Sequence, residues 1–193
     1  MWATDVWKVD IISMSMGFDR LDLTVSDAIK HAYSEDVIML AAAANHGGNA
    51  KVAFPADQYS MVLGINSTDG YGNPSSFTPS PGPLRENYSV LGEGVESGWP
   101  EKLGGPTMRK GGTSYATPIA AGLAATLLYY AKVKFPKREG SRRFGNVGKM
   151  RAMLSIIGND RQDYKYLAPF SFFETKSDRL VYETFANIWE NYD

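Results

Sequence analysis

Val37-Ile38-Met39-Leu40-Ala41-Ala42-Ala43-Ala44, running directly into Asn45-His46-Gly47-Gly48, is the stretch on which the fold turns. Eight apolar residues without alternation describe a strand covered on both faces, the pattern of parallel sheets. Upstream, Val25, Ala28, Ile29, Ala32 and Tyr33 repeat at helical spacing, which predicts an amphipathic helix over 23–34. Before that helix, Val9 to Met16 is a second apolar run, predicting another strand buried on both faces and ended by Gly17. Strand, helix and strand with short joins make a βαβ unit with a right-handed crossover. Asn45 then stands just beyond the carboxyl end of a parallel strand, where open α/β sheets place their ligands.

Outward from this unit, Met61 to Asn66 and Tyr88 to Leu91 predict two further strands. Asp69-Gly70-Tyr71-Gly72-Asn73-Pro74 is a turn signal, and Pro79, Pro81 and Pro83 mark an extended loop. Gly92-Glu93-Gly94-Val95-Glu96-Ser97 lacks the third glycine of a dinucleotide loop and reads as a turn. The stretch from Ser114 to Lys132 is apolar almost all round, which predicts a helix at the centre of the fold. Pro118 is compatible with it because it lies near the first turn, where few intrahelical N–H bonds are lost. After Phe135 come a charged loop from Lys137 to Arg143 and a short helix from about Gly148 to Ile157. Val181, Phe185, Ile188 and Trp189 then mark a last amphipathic helix. The fold class is α/β in three layers with a mostly parallel sheet. Residues 1–135 form its body, and 136–193 form a helical extension packing on the same domain.

Composition narrows the function classes. A chain of 193 residues is long enough for one domain with a real core, and 44% apolar with 21% charged residues is a globular balance. A net charge of −1 supplies no field for nucleic acid or an anionic membrane as partner. Zero cysteines exclude a disulfide framework, a cysteine nucleophile and a thiolate zinc site. No basic segment followed by an apolar run opens the chain, and with the lack of cysteine this leans toward the cytoplasm. No cofactor is implied, and no carboxylate cluster has the spacing of a calcium loop.

The chemistry concentrates in Gly112-Thr113-Ser114-Tyr115-Ala116-Thr117-Pro118, which opens the most apolar helix. A serine there has its hydroxyl beside an open glycine backbone, and the helix N-terminus favours a developing anion. Serine is a weak nucleophile until a base takes its proton. Three segments in order resemble the subtilisin-like serine proteases, the subtilase family. They are Ser13-Met14-Ser15-Met16-Gly17, Ala41-Ala42-Ala43-Ala44-Asn45-His46-Gly47, and the Gly112–Pro118 heptad. Phe54-Pro55-Ala56 and the stretch Phe77 to Pro83 follow the family's order between them.

The resemblance covers roughly residues 2–135 and implies a serine endopeptidase acting on polypeptides. It makes Ser114 the nucleophile, with Asn45 and the Ser114 N–H holding the oxyanion. Ser15, Met16 and Gly17 would offer backbone groups to an extended peptide. Ala43 and Ala44 would wall the pocket for the side chain before the scissile bond. The family usually has glycine where Ala44 stands, so a narrower pocket is expected.

The family's triad runs aspartate, histidine, serine, and its first two members belong upstream of Val9. Only His31 and His46 are present. His31 falls on a helix as a structural residue, and His46 lacks the threonine that follows the family's catalytic histidine-glycine pair. Thr68-Asp69-Gly70 is a turn rather than the family's aspartate motif. The expectation is therefore a truncated subtilisin-like domain, beginning inside a helix that ends at Met1-Trp2-Ala3. Its partner would be the missing N-terminal part of the same domain. Alone, the chain should be inactive and marginally stable, with an apolar sheet edge exposed along Val9–Met16. The alternative is a non-catalytic, peptide-binding or regulatory remnant that keeps the cleft. Asn66-Ser67-Thr68 and Asn87-Tyr88-Ser89 match glycosylation acceptors by coincidence.

Overall fold

The computed structural model describes residues 2–83, 86–135 and 144–191. The charged loop expected from Lys137 to Arg143 and the residue Met1 lie outside them. Along the chain come β1 (Ile11–Met14), α1 (Leu23–Ser34), β2 (Ile38–Ala42), β3 (Leu63–Thr68) and β4 (Tyr88–Leu91). An antiparallel ribbon of β5 (Val95–Gly98) and β6 (Thr107–Lys110) leads into α2 (Thr113–Lys134). Then follow α3 (Val147–Ile157), β7 (Gly158–Arg161), β8 (Tyr164–Leu167), α4 (Pro169–Thr175) and α5 (Asp178–Asn191).

The main sheet runs β1-β2-β3-β4-β8-β7. All pairings are parallel except β7 with β8. Side chains alternate across it, as a period of two requires. From β2, Ile38 and Leu40 join the larger cluster with Ala120, Leu127, Met150, Leu154 and Phe185. Val37, Met39 and Ala41, on the other side, meet Ile29 and Ala32 of α1. Two helical layers thus enclose a mostly parallel sheet, the three-layer α/β class expected.

The helix predicted over 23–34 has those bounds because Asp22 caps it, its carboxylate accepting the Val25 N–H at 3.0 Å. Asn146 caps α3 in the same way through the Lys149 N–H at 2.9 Å.

Four expectations need correction. The strand around Val9–Met16 is not buried on both faces, since Ser13 is exposed and its isoleucines are half-buried, though β1 is the open sheet edge expected there. The segment from Gly92 to Ser97 is only partly turn, since Val95–Gly98 forms a strand of the ribbon. The extension after residue 135 is not wholly helical, because β8 pairs in parallel with β4 and carries β7 into the sheet. α2 also departs from an all-round buried helix. Ala116, Ala120, Ala124, Leu127, Leu128 and Ala131 are buried, whereas Pro118, Ile119, Gly122, Tyr129 and Val133 face outward. Among the described residues no helix is long and apolar enough to cross a membrane.

Candidate active site

The carboxyl ends of β1 and β2, in register at Met14 and Ala41, deliver their loops to the N-terminus of α2. Ser114 sits in the first turn of that helix, where backbone N–H groups have no intrahelical acceptor. Its hydroxyl donates to the Ser15 carbonyl at 3.3 Å, and the Ser15 hydroxyl donates to the Ser114 carbonyl at 2.8 Å.

Asn45 comes from the β2 side. Its Oδ1 accepts the Thr113 N–H at 2.8 Å and lies 3.0 Å from the Thr113 hydroxyl. That hydroxyl is also 3.3 Å from the Ala44 carbonyl, so one proton serves two acceptors. Only an oxygen can accept these bonds, so the amide orientation is fixed and Nδ2 is the end left to donate. Thr113 is fully buried, and its own carbonyl takes the Thr117 hydroxyl at 2.7 Å. Sequence reading assigned Thr113 no role; its place just before the serine was the available signal.

Gly112 makes the close approach possible. Its φ is +152°, and a Cβ there would lie 3.3 Å from Asn45 Nδ2. Gly17 is equally constrained, since a Cβ would come within 2.7 Å of Ala53 Cβ. The rim that holds it is pinned by reciprocal bonds between Phe18 and Phe54 at 2.8 and 3.0 Å. Met16 is half-exposed and shares the lining of an apolar hollow with Trp2, Met14 and Val25. Ala43 is buried, with its N–H on the Ile65 carbonyl and its carbonyl taking the Ala53 N–H at 2.7 Å.

Ala44, between them, adopts φ = +154°, a conformation that side chains rarely tolerate. Ala44→Gly should therefore stabilise the protein. Relief of about 1–3 kcal/mol of strain outweighs the extra chain entropy of glycine, leaving about 1 kcal/mol in chemical denaturation. An unchanged or lower midpoint would show that the backbone is unstrained there.

The titratable groups fall elsewhere. His31, on α1 across the sheet from α2, has its Nε2 2.6 Å from Asp5 Oδ1, and this hydrogen bond chiefly holds the Asp5 carboxyl below its usual range. His46 is exposed and borders an open trough with Gly17, Asp19, Arg20 and Asp22. Among the described residues no hydrogen bond joins either histidine to Ser114. Asp69 closes its turn by accepting from Tyr71, Asn73 and the Asn73 amide, and the Asn73 bonds lead in lowering its pKa. Asn66 and Asn87 are buried and bonded, Asn66 to the Tyr88 carbonyl at 3.0 Å, which removes both as glycosylation acceptors in the folded state. Among the described residues no group of three or more His, Asp or Glu is placed to hold a metal.

A serine stands at a glycine-led helix start, and an asparagine from the neighbouring strand end bonds the threonine before it. The sequence model of the Subtilase family, peptidase S8, matches residues 2–155. The chain belongs to the subtilase family.

Among curated subtilases, Minor extracellular protease Epr of Bacillus subtilis (strain 168) is 31% identical over 155 residues, spanning 80% of this chain and 22% of that protein. Subtilisin-like protease het-Q2 of Podospora anserina is 25% identical, over 81% of this chain and 46% of its own length. The chain thus spans between about a fifth and a half of these relatives. Of solved structures, Prenylagaramide maturation protease PagA superposes with a TM-score of 0.70 at 23% identity, over 89% of this chain and 64% of that one. The S218A mutant of the protease domain of PatA gives 0.67 at 25% identity, over 89% and 61%. The family match runs 20 residues past Phe135, through most of α3, so the subtilase likeness does not stop at the foreseen boundary.

Proposed function

We propose that this subtilase chain supplies the nucleophile half of a serine endopeptidase site. The observation that carries the reading is the bonding of Asn45 Oδ1 by Thr113, the residue just before Ser114, which leaves Nδ2 to donate. In the reaction Ser114 Oγ attacks the scissile carbonyl carbon while a base removes its proton. The tetrahedral oxyanion rests between Asn45 Nδ2 and the Ser114 N–H. The C–N bond then breaks, the amine leaves with the proton, and water releases the acyl group from Ser114. The peptide lies along Ser15, Met16 and Gly17, with Ala43 and Ala44 beside its reacting residue.

The base and its orienting acid come from the remaining part of the domain. Three observations support a polypeptide partner at that place. β1 is an open edge, and an apolar hollow of ≈ 370 Å³ beside it is lined by Trp2, Ile12, Met14, Met16, Val25 and Ile29. The outward face of α2 carries Tyr129 at 70% exposure and Val133 at 61%. Apolar surface left open in this way is the kind that a partner covers. On this reading the 193 residues alone do not turn over peptides. A non-catalytic remnant is the second reading, favoured by the Ser114 hydroxyl donating to a carbonyl rather than to a base.

A fluorophosphonate probe separates the two in the intact protein taken from its source. Endopeptidase action predicts labelling mapped to Ser114 and absent in Ser114→Ala. An intact, folded protein that stays unlabelled supports the remnant and ends the enzyme reading.

A further inference from the structure

An α-helix pairs the carbonyl of each residue with the N–H four positions on. For Ser114 that position is Pro118, which has no N–H. The carbonyl of the proposed nucleophile is thus deprived of its helical donor in the turn that must be held most firmly. The Ser15 hydroxyl, from a loop 99 residues away, donates to it at 2.8 Å. The return bond runs from the Ser114 hydroxyl to the Ser15 carbonyl at 3.3 Å. One residue earlier, the Thr113 carbonyl takes the Thr117 hydroxyl, so both carbonyls of this turn carry side-chain donors.

We propose that Ser15 is a positioning residue whose hydroxyl replaces the N–H that Pro118 cannot supply, and so fixes the first turn of α2 on the rim of the cleft. The proposal rests on the reading of Ser114 as nucleophile for its effect on reactivity, though not for its effect on the carbonyl. Without the hydroxyl the Ser114 carbonyl loses its partner and the return bond stands alone. The turn can then rotate, carrying Oγ and the Ser114 N–H away from the point they share with Asn45. Threonine at 15 keeps the donor. Alanine at 118 returns a backbone N–H to the carbonyl and makes the donor at 15 redundant.

The test is a cycle of Ser15→Ala, Pro118→Ala and the double variant, with Ser15→Thr as the conservative exchange, all in the intact protein. The first readout is the rate of Ser114 phosphonylation. Ser15→Ala should slow it about tenfold, a modest misplacement of the reacting group, and Ser15→Thr should leave it within about twofold. With alanine at 118, the cost of Ser15→Ala should shrink at least about threefold. The second readout is the carbonyl ¹³C resonance of Ser114, assigned under Ser–Tyr selective labelling as the signal missing from Ser114→Ala. It should move upfield in Ser15→Ala and stay in place in Ser15→Thr. A resonance unmoved by Ser15→Ala, or a labelling cost indifferent to residue 118, overturns the proposal. Loss of all labelling in the unmodified protein instead overturns the nucleophile reading, and the resonance still judges the Ser15 contact.

Discussion

Asn45→Leu in the intact protein should lower the acylation rate of Ser114 by roughly 10²–10³, the loss measured for such an asparagine in a member of this family. The leucine keeps the volume but removes both amide donors at the position where the oxyanion forms. Because that charge exists only in the transition state, kcat should fall while KM stays nearly constant. The exchange also strands the Thr113 N–H and hydroxyl, which now share Asn45 Oδ1. Asn45→Asp is therefore the companion variant: it keeps the acceptor for Thr113 but replaces the donor with a negative oxygen. Both should be slow, and the aspartate variant should retain more stability. Steady-state kinetics with a peptide substrate, paired with denaturant unfolding, separates the effects. A fall of less than about threefold in both variants would remove Asn45 from the oxyanion site.

Phe185→Ala should cost about 3–5 kcal/mol of folding stability, the usual penalty for emptying a large aromatic site in a packed core. Phe185 is fully buried although it lies near the end of the chain. Its ring stands 4.5 Å from Tyr130 of α2 and 5.4 Å from Trp189, stacked on the latter. Ile188 and Val181 join it in the same cluster as Leu127 and Leu154. α5 thereby closes the large core beneath the helix that bears Ser114, so its loss should also slow labelling of Ser114. Urea unfolding followed by tryptophan fluorescence reads the stability directly. A loss below about 1 kcal/mol would mean that the extension is a detachable appendage, as an interface module would be.

The elements that local pattern reveals were legible. Val25, Ala28, Ile29 and Ala32 lie on one helical face whatever surrounds them, and Asp22 fixes the start of the helix by capping its N-terminus, so α1 has the expected bounds. β2 was visible as an apolar run because it is covered on both faces of the sheet, and the strand expected at Tyr88–Leu91 has those bounds as β4. The β7–β8 hairpin carried no such signal. Its turn places Gln162 and Asp163 at φ of +48° and +66°, where glycine or asparagine would have announced it. The ribbon of β5 and β6 was hidden for a different reason. Its side chains are mostly exposed, so it buries too little to impose alternation; an Arg109–Glu96 pair and Lys110 over Trp99 decorate it instead.

For the site, the residue types of the Gly112–Pro118 heptad and of Asn45 pointed to the chemistry, but their orientation could not be read. Thr113 turns the Asn45 amide and Ser15 meets the Ser114 carbonyl through contacts spanning 68 and 99 residues. Sequence alone determined the βαβ frame, the family and the candidate nucleophile, because periodicity, capping and motif spacing act over a few residues. The tertiary structure alone decided that β8 joins the sheet beside β4, that α2 leaves an apolar face uncovered and that Asn45 leaves Nδ2 to donate. Each of those depends on which distant atoms fill the space and which hydrogen-bond partners they bring, and neither is encoded in any short stretch of chain.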